Sequence, residues 1–263
     1  MNQPIITLTT DFGTSGPYVA AMKGVILGIN PAAGIVDVSH EIGRQNVREA
    51  ALVLYQVVPY FPAGTIHVVV VDPGVGSDRR LLCVRTQGHI FLAPDNGVLS
   101  WIARRTAPSD RIELRESRFW RDTISPTFHG RDILAPVAAH LSLGARVADL
   151  GPSVADWVEI PWPKSVRQAN QIDGEILAVD RFGNLISNLE QDVILSLQPK
   201  GNLRVSCCGQ EMPLLRTYSD APAGQLLALI GSCGLLELAV RNGSAAERLN
   251  AYVGSAVVLG VGS

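Results

Sequence analysis

The chain has 263 residues, of which 47% are apolar and 17% are charged, and its formal net charge is −2 at pH 7. This composition favours a compact folded protein over an intrinsically disordered chain. The lysines and arginines are scattered rather than clustered, which argues against a protein that binds nucleic acid or an anionic membrane surface.

No apolar run reaches the roughly 18–20 residues that are needed to cross a bilayer, so no membrane segment is expected. The N-terminal stretch MNQPIITLTTDFG lacks the basic start and long apolar segment of a secretion signal. The four cysteines and five histidines show no metal-type spacing, so we expect buried free thiols and neither a metal nor another cofactor. Together these features predict a cytoplasmic location.

The first 150 residues alternate between the periodicity of strands and that of helices. The strand signals are 6–11, 34–40, 65–72, 81–87 and 89–94, and the helix signals are 16–30, 46–58, the segment GVLSWIARR and 131–144. The unbroken apolar run of the third strand suits the middle of a parallel sheet, and Pro136 must distort the last helix or lie in its first turns. This alternation predicts an α/β sandwich with a mostly parallel sheet.

The composition changes near residue 151, where GPSVADWVEIPWPKSVRQANQ has three prolines and little periodicity, as in a linker. Short strands punctuated by glycine follow, namely GEILAVD, NLISNL, LRVSCC, QLLALIG, LLELAV and SAVVLG. They predict a small all-β barrel or sandwich. The predicted organisation is therefore an N-terminal α/β domain (1–155), a linker (156–171) and a smaller C-terminal all-β barrel (172–263).

Candidate site residues follow predicted strands rather than standard motifs. GVGSDR begins like a dinucleotide-binding fingerprint but has Arg79 in place of the third glycine, which makes that interpretation weak. Asp11 and Asp72 each end a predicted strand, so a parallel sheet would bring them to the edge where ligands bind. His129 precedes a predicted helix, where free backbone N–H groups favour anions. Taken singly, Asp72 is also compatible with turn chemistry and Arg79 with a solvated loop charge, and a lone histidine such as His129 is more often structural than catalytic.

Six motifs occur in one order over nearly the whole chain: TTDFGTSGPYVAAMKG, VVVVDPGVGSDRR, LAPDNG, PTFHGRDILAPVAAHL, VDRFGNLISN and RNGSAAERL. In combination they resemble the S-adenosyl-L-methionine hydroxide adenosyltransferase family, the hydrolytic relatives of the 5′-fluoro- and 5′-chloro-adenosine synthases. The resemblance implies hydrolysis of S-adenosyl-L-methionine to adenosine and L-methionine by in-line attack of water or hydroxide on the ribose C5′. It also implies an α/β domain, a β-barrel domain and a homotrimer with active sites between subunits.

The resemblance further implies which residues form the site. It places the catalytic set on Asp72, Arg79 and His129. It assigns Asp11 to the ribose hydroxyls and Asp180 to the methionine ammonium. The other substrate-binding residues that it implies are Phe182, Asn184, Tyr218, Ser232, Arg241, Asn242 and Gly243.

Two departures concern the choice of nucleophile and the substrate pocket. Halogenating relatives carry Tyr, Thr and Tyr at the positions of Asp72, Val75 and His129, so the ionisable groups here favour water over halide. Cys233 stands where fluorinating relatives have an arginine. Two alternatives therefore stay open: a halide-dependent 5′-halo-adenosine synthase, and a non-catalytic protein that binds adenosine or S-adenosyl-L-methionine.

Overall fold

The computed structural model of the protein describes residues 3–168, 170–197 and 203–261. The predicted domains and linker also include positions that lie outside these described residues. The chain divides into two compact units, Met1–Pro161 and Trp162–Ser263. The short segment 156–160 of the predicted linker bonds to the first unit, since the Val158 amide donates to Asp95 and the Ile160 amide donates to Ser100.

The first unit is a six-stranded sheet with helices on both faces. Its strands are β1 (Ile5–Thr10), β2 (Gly34–Ser39), β3 (Ile66–Val70), β4 (Leu81–Thr86), β5 (His89–Pro94) and β6 (Asp110–Glu113). Its helices are α1 (Tyr18–Ile29), α2 (Val47–Val57), α3 (Ser100–Arg105) and α4 (Ala135–Ser142). The strand order is β2-β1-β3-β5-β4-β6, with β1, β2, β3 and β5 parallel and β4 antiparallel to both of its neighbours. The predicted α/β fold with a mostly parallel sheet is confirmed.

The apolar run at the centre of the sheet explains the two helical layers. Successive side chains of a strand point to opposite faces, and Val68 and Val70 belong to a core with residues of α1 and α4. Val69 and Val71 belong to a second core with residues of α2 and α3. A strand that is buried on both faces shows no alternation of polar and apolar residues. Its polar side chains therefore appear only after the strand has ended.

Two local features of the first unit, a short strand and the start of a helix, differ from the sequence-based expectation. Strand β6 was not predicted, because its sequence DRIE has one buried apolar residue, Ile112, between charged ones. The helix predicted over 131–144 begins instead as a π-helical turn at Gly130–Leu134 and continues as α4. Pro136 lies in the first turn of α4, directly after the π-helical turn.

The second unit is an antiparallel barrel-like sheet. Its strands are β7 (Val166–Arg167), β8 (Gln171–Val179), β9 (Leu185–Glu190), β10 (Leu203–Cys207), β11 (Gln210–Pro213), β12 (Leu226–Ile230), β13 (Leu235–Val240) and β14 (Ala256–Val261), with two short helices, α5 (Gln191–Leu195) and α6 (Ala245–Leu249). The main order is β11-β10-β14-β8-β9-β13-β12, and β7 pairs with β8. A bridge between Leu214 and Ala228 joins the two ends of this order, so the sheet nearly closes. The predicted small C-terminal barrel is confirmed.

The four cysteines are free, as predicted, but they are not all buried. Cys83 and Cys207 are buried, Cys233 is half-buried and Cys208 is exposed. Cys208 has a φ of 49° and occupies the two-residue turn between β10 and β11, where a tight hairpin projects its side chain into solvent. In the part of the chain that the structure describes, we find no helix with the length and apolar character of a membrane span.

A buried histidine in the sheet predicts acid sensitivity of the fold. His67 is fully buried and lies 2.8 Å from Thr7 Oγ1 in a hydrogen bond. Burial, with a contribution from the charge of His89, lowers the pKa of His67 from 6.5 to about 3. The pKa of His67 is thus lower in the folded protein than in the unfolded chain. The stability that depends on neutral His67 is therefore complete above about pH 6.5 and is lost as the pH falls toward about 3.

We therefore expect that His67 alone lowers the free energy of unfolding by about 2 kcal/mol when the pH falls from 6.5 to 5. In urea titrations at both pH values, His67→Gln should reduce the difference in unfolding free energy by about that amount. An equal loss in the variant and the unsubstituted protein would contradict the assignment.

Candidate active site

The site begins where the central strand β3 ends. Asp72 follows the buried Val71, and its Oδ1 accepts a hydrogen bond of 3.2 Å from the Gly74 amide, which starts a bend over 72–79. Strand β1 pairs in parallel with β3, with Thr10 opposite Val70. Asp11 and Asp72 therefore follow neighbouring strands at the same edge of the sheet, as the sequence predicts.

Arg79 closes the bend by binding the Asp72 carboxylate through two nitrogens. Arg79 Nε lies 3.0 Å from Oδ1 and 2.9 Å from Oδ2, and Nη2 lies 2.5 Å from Oδ2. Only 11% of the Arg79 side chain and 8% of the Asp72 side chain are exposed. A fork of charge-assisted hydrogen bonds in such a sheltered place fixes both groups in one geometry.

His129 joins Asp72 and Arg79 in a cluster of three side chains. Arg79 Nη2 lies 2.9 Å from His129 Nδ1, and a guanidinium can only donate, so Nδ1 is the acceptor. The pKa of His129 is lowered by burial and by the positive charge of Arg79, against a smaller opposing effect of Asp72. The imidazole is therefore neutral near pH 7 and carries its proton on Nε2, which it can donate to a bound group.

Two glycines allow the segments of the site to approach each other. At Gly130, a Cβ would lie 2.9 Å from Val70 Cγ1, so only glycine lets the turn after His129 pack against the end of β3. At Gly76, φ is 82° and a Cβ would lie 2.7 Å from the Pro126 carbonyl oxygen. The bend over 72–79 thus rests directly on the segment that leads to His129.

Gly76→Ala should destabilise the protein more than Gly144→Ala does. Gly144 has a φ of 97° and no atom within 4 Å of an added Cβ, so its substitution isolates the backbone strain of about 1–2 kcal/mol. Gly76→Ala adds a clash with backbone, and we expect an extra loss of about 1–3 kcal/mol in denaturant unfolding. Equal losses in the two variants would show that the close approach to Pro126 does not matter.

A buried carboxylate anchors the segment that carries His129. Asp132 is fully buried and accepts hydrogen bonds from Arg121 Nη1 at 2.9 Å, from Arg131 Nε at 2.6 Å and from the Ser125 amide at 2.8 Å. Two guanidinium groups and one amide therefore compensate the cost of burying this charge. The π-helical turn that follows His129 contains Asp132, and such turns are frequent at functional sites.

Asp11 is held at the same edge by backbone contacts. Its Oδ2 accepts a hydrogen bond of 2.8 Å from the Gln45 amide. The rings of Phe12, Tyr18 and Phe128 form a cluster with centroids 5.5 to 5.6 Å apart, which joins the segment after Asp11 to the residue before His129.

A cavity of about 350 Å³ in the first unit reaches the cluster, with Arg79 and His129 in its wall together with Arg80, Arg115 and Trp120. This volume holds several water molecules. Solvent can therefore contact the guanidinium and the imidazole from within this unit.

The second unit contains a larger cavity of about 740 Å³, within the usual range for small-molecule sites. Six residues that the resemblance implies line it: Phe182, Asn184, Tyr218, Arg241, Asn242 and Gly243. Phe182 is 78% exposed and Tyr218 is 41% exposed, so both rings present apolar surface to a ligand. The guanidinium of Arg241 donates to the Ala221 carbonyl at 2.6 Å and thereby shapes one wall.

The other two implied residues of this unit have different positions. Asp180 supports the wall, because it accepts hydrogen bonds from the Phe182 amide at 2.8 Å and from the Asn184 amide and Nδ2 at 2.9 Å each. Ser232 is exposed in the turn between β12 and β13, and it is not among the described residues that line this cavity.

Glu237 also belongs to this region and was not predicted from the sequence. It is buried in β13 and accepts a hydrogen bond from the Tyr218 hydroxyl. Its pKa is raised by burial and by the negative charge of Asp180, while the bond from Tyr218 acts in the opposite direction. A single carboxylate within the apolar run LLELAV was the signal that could have indicated it.

No group of three or more metal-binding side chains occurs among the described residues. The described residues of the first unit contain a carboxylate–guanidinium–imidazole cluster, and those of the second unit line an aromatic cavity with amide groups.

Comparison with known proteins covers nearly the whole chain. Residues 6–151 match the family model of the SAM hydroxide adenosyltransferase N-terminal domain, and residues 174–258 match that of the C-terminal domain. A curated protein of Salinispora arenicola named (R)-S-adenosyl-L-methionine hydrolase is 40% identical over 94% of each chain. A protein of Actinopolyspora mzabensis named fluorinase is more distant, at 26% identity over 97% of each chain.

The fold also matches those of solved structures. One of them is described as that of an uncharacterized conserved protein from Thermotoga maritima, and it is 36% identical with a TM-score of 0.92. The match covers 97% of this chain and 99% of that one.

Proposed function

The chain belongs to the SAM hydroxide adenosyltransferase family, and on that premise we propose that it hydrolyses S-adenosyl-L-methionine to adenosine and L-methionine. The observation that carries the proposal is the contact of Arg79 with both Asp72 and His129. Relatives named (R)-S-adenosyl-L-methionine hydrolase at 34–40% identity support it.

The reaction is a displacement at the ribose C5′. The C5′–S bond of the sulfonium breaks, methionine leaves as a neutral thioether, and a C5′–O bond forms to water, which loses a proton. The leaving group is already activated, so it needs no general acid. Water, with a pKa of about 15.7, is the reactant that needs help.

The chemistry of the three groups favours Asp72 as the proton acceptor. Arginine stays protonated in proteins and cannot serve as a base. The Nδ1 lone pair of His129 is occupied by Arg79, and its Nε2 carries the proton. Asp72 is the remaining member that can take up a proton, and Arg79 and the Gly74 amide hold its two oxygens in place. We therefore assign Asp72 as the base and His129 Nε2–H as the donor that orients the water.

Magnitudes show that proton transfer is only part of the rate enhancement. General base catalysis supplies roughly 10²–10⁴ in rate, about 3–5 kcal/mol. Holding two reactants in attack geometry supplies about 7–11 kcal/mol. The residues that bind and orient the substrate therefore contribute at least as much to the rate enhancement as the base does.

We assign the binding and orientation of the substrate to residues of both units. Asp11 binds the two ribose hydroxyls, and Asp180 faces the methionine ammonium. The cavity of the second unit takes the nucleoside, with stacking on Phe182 and contacts to Asn184 and Tyr218. Ser232, Arg241, Asn242 and Gly243 complete the proposed substrate-binding set.

Asp180→Ala should weaken binding of the amino-acid half of the substrate. The carboxylate is the proposed partner of the ammonium, and the measurement is the ratio of kcat/KM for S-adenosyl-L-methionine to that for an analogue without the amine. A charge-assisted hydrogen bond contributes about 1.5–3 kcal/mol, so the ratio should fall by about 10- to 150-fold. An unchanged ratio would refute the assignment.

We also propose a homotrimer in which the first unit of one copy and the second unit of another complete each active site. The proposed nucleophile-activating groups and the proposed nucleoside cavity lie in different units, which supports shared sites. Mixing Asp72→Asn with Asp180→Ala protein should then restore part of the activity that each lacks alone, because some mixed sites carry neither substitution. A fully active monomer in solution would contradict the shared site.

A cytoplasmic location is part of the proposal and is supported by the four free thiols, since reducing compartments keep cysteines unpaired. A halide-dependent synthase is the enzyme alternative, and the protein named fluorinase is only 26% identical.

The test is to incubate purified protein with S-adenosyl-L-methionine, with and without chloride. We expect adenosine and methionine in both cases. Formation of 5′-chloro-adenosine would establish the halide reaction instead, and tight binding without turnover would establish a binding protein.

A further inference from the structure

The motif LAPDNG has no part in the proposed chemistry, yet its residues bond to both ends of the bend over 72–79 that carries Asp72 and Arg79. Strand β5 ends at Pro94 and pairs in parallel with β3, which ends at Val70. The turn after β5 therefore lies beside the start of the bend, at the same edge of the sheet.

Asn96 holds the first end of the bend. Its Nδ2 donates a hydrogen bond of 2.9 Å to the carbonyl of Val71, the residue before Asp72. Val71 is fully buried and lies just beyond the last paired residue of β3. A buried carbonyl without a hydrogen-bond partner is costly. The Asn96 side-chain amide therefore donates the hydrogen bond that the Val71 carbonyl no longer receives within the sheet.

Asp95 holds the other end of the bend. Its backbone amide donates to the Arg80 carbonyl at 3.0 Å, and its Oδ2 accepts from Arg80 Nε at 2.8 Å. Its Oδ1 accepts from the Val158 amide at 2.8 Å. The Asp95 side chain is only 4% exposed, so this anchor is sheltered from solvent.

We propose that Asn96 and Asp95 are positioning residues, which fix the two ends of the bend and so set the geometry of the Asp72–Arg79 pair. The inference rests on the proposed function for its effect on turnover, but its structural part is independent of any substrate. Neither residue touches the reacting groups in this assignment.

Asn96→Asp is the sharpest variant, because it keeps the acceptor that bonds the Val98 amide and removes the donor to Val71. We expect kcat to fall by about 10- to 100-fold, as for a misplacement of about 1 Å at reacting groups, with KM close to that of the unsubstituted protein. Asp95→Asn, which weakens the anchor at Arg80, should act in the same direction and serves if Asn96→Asp does not fold.

Asn30→Asp is a matched control. Asn30 Oδ1 accepts from the Ala32 amide at 3.0 Å and Nδ2 donates to Ser142 Oγ at 2.7 Å, the same pattern as in Asn96. Asn30 precedes β2 and lies at the opposite edge of the sheet, so its substitution should leave kcat unchanged.

A readout without substrate separates this inference from the proposed function. Hydrogen exchange of the Arg79 Nε–H, identified in the NMR spectrum by its loss in Arg79→Lys, reports the Asp72–Arg79 contact directly. We expect faster exchange in Asn96→Asp and Asp95→Asn than in Asn30→Asp and the unsubstituted protein. Unchanged exchange in the folded Asn96 and Asp95 variants would overturn the positioning role, whatever their turnover. An unsubstituted protein without turnover would instead contradict the proposed function and leave the exchange comparison decisive for positioning.

Discussion

Asp72→Asn should bind S-adenosyl-L-methionine as the unsubstituted protein does but turn it over about 10²–10⁴ times more slowly. The amide has almost the shape of the carboxylate but cannot accept the proton of water. It also turns an N–H group toward Arg79, which presents only donors. Single-turnover kinetics, with substrate binding measured separately by calorimetry, checks both parts of the expectation.

Asp149→Asn is the matched control for this substitution. Asp149 is also bound by a fork, from Arg146 Nε at 2.9 Å and Nη2 at 2.6 Å, but the Arg146 side chain is 79% exposed. Turnover in that variant should be unchanged, since surface pairs contribute little. If Asp72→Asn kept a turnover near that of the control, Asp72 would not be the base.

Arg79→Lys should lower kcat by about 10²–10³, although the charge is retained. A lysine ammonium is a point charge and cannot bind both Asp72 oxygens and His129 Nδ1 in the fixed directions of a guanidinium. The carboxylate and the imidazole would then lose the group that holds them together. Steady-state kinetics should show the loss in kcat rather than in KM.

The corresponding control is Arg146→Lys, which breaks a surface fork of the same kind. We expect its kinetics to match those of the unsubstituted protein. A loss in Arg79→Lys no larger than in Arg146→Lys would mean that positive charge alone, and not the shape of the guanidinium, is required.

The sequence predicted most of the first unit because its strands and helices have clear periods. The run VVVVD, for example, could only be a buried strand that ends in a polar turn, and β1 and β3 bring Asp11 and Asp72 to one edge. It missed β6, whose sequence DRIE has no pattern of its own and is defined by pairing with β4. Tertiary pairing decides such short strands.

The sequence indicated candidate site residues but could not indicate the contacts between them. Arg79 and His129 are 50 residues apart, and no periodicity relates them. Their contact depends on Gly130 packing on Val70 and on the bend at Gly76, and the tautomer of His129 follows from that contact alone. Glu237 was missed although the carboxylate within the apolar run LLELAV could have indicated a buried polar group, and only the structure shows its partner, Tyr218.

The most direct test of the central claim is hydrolysis of S-adenosyl-L-methionine in ¹⁸O-labelled water, followed by mass analysis of both products. If the cluster of Asp72, Arg79 and His129 directs water to C5′, one labelled oxygen appears in the 5′-hydroxyl of adenosine and none in methionine. Label in methionine, or unlabelled adenosine from a productive reaction, would contradict attack of solvent on that carbon.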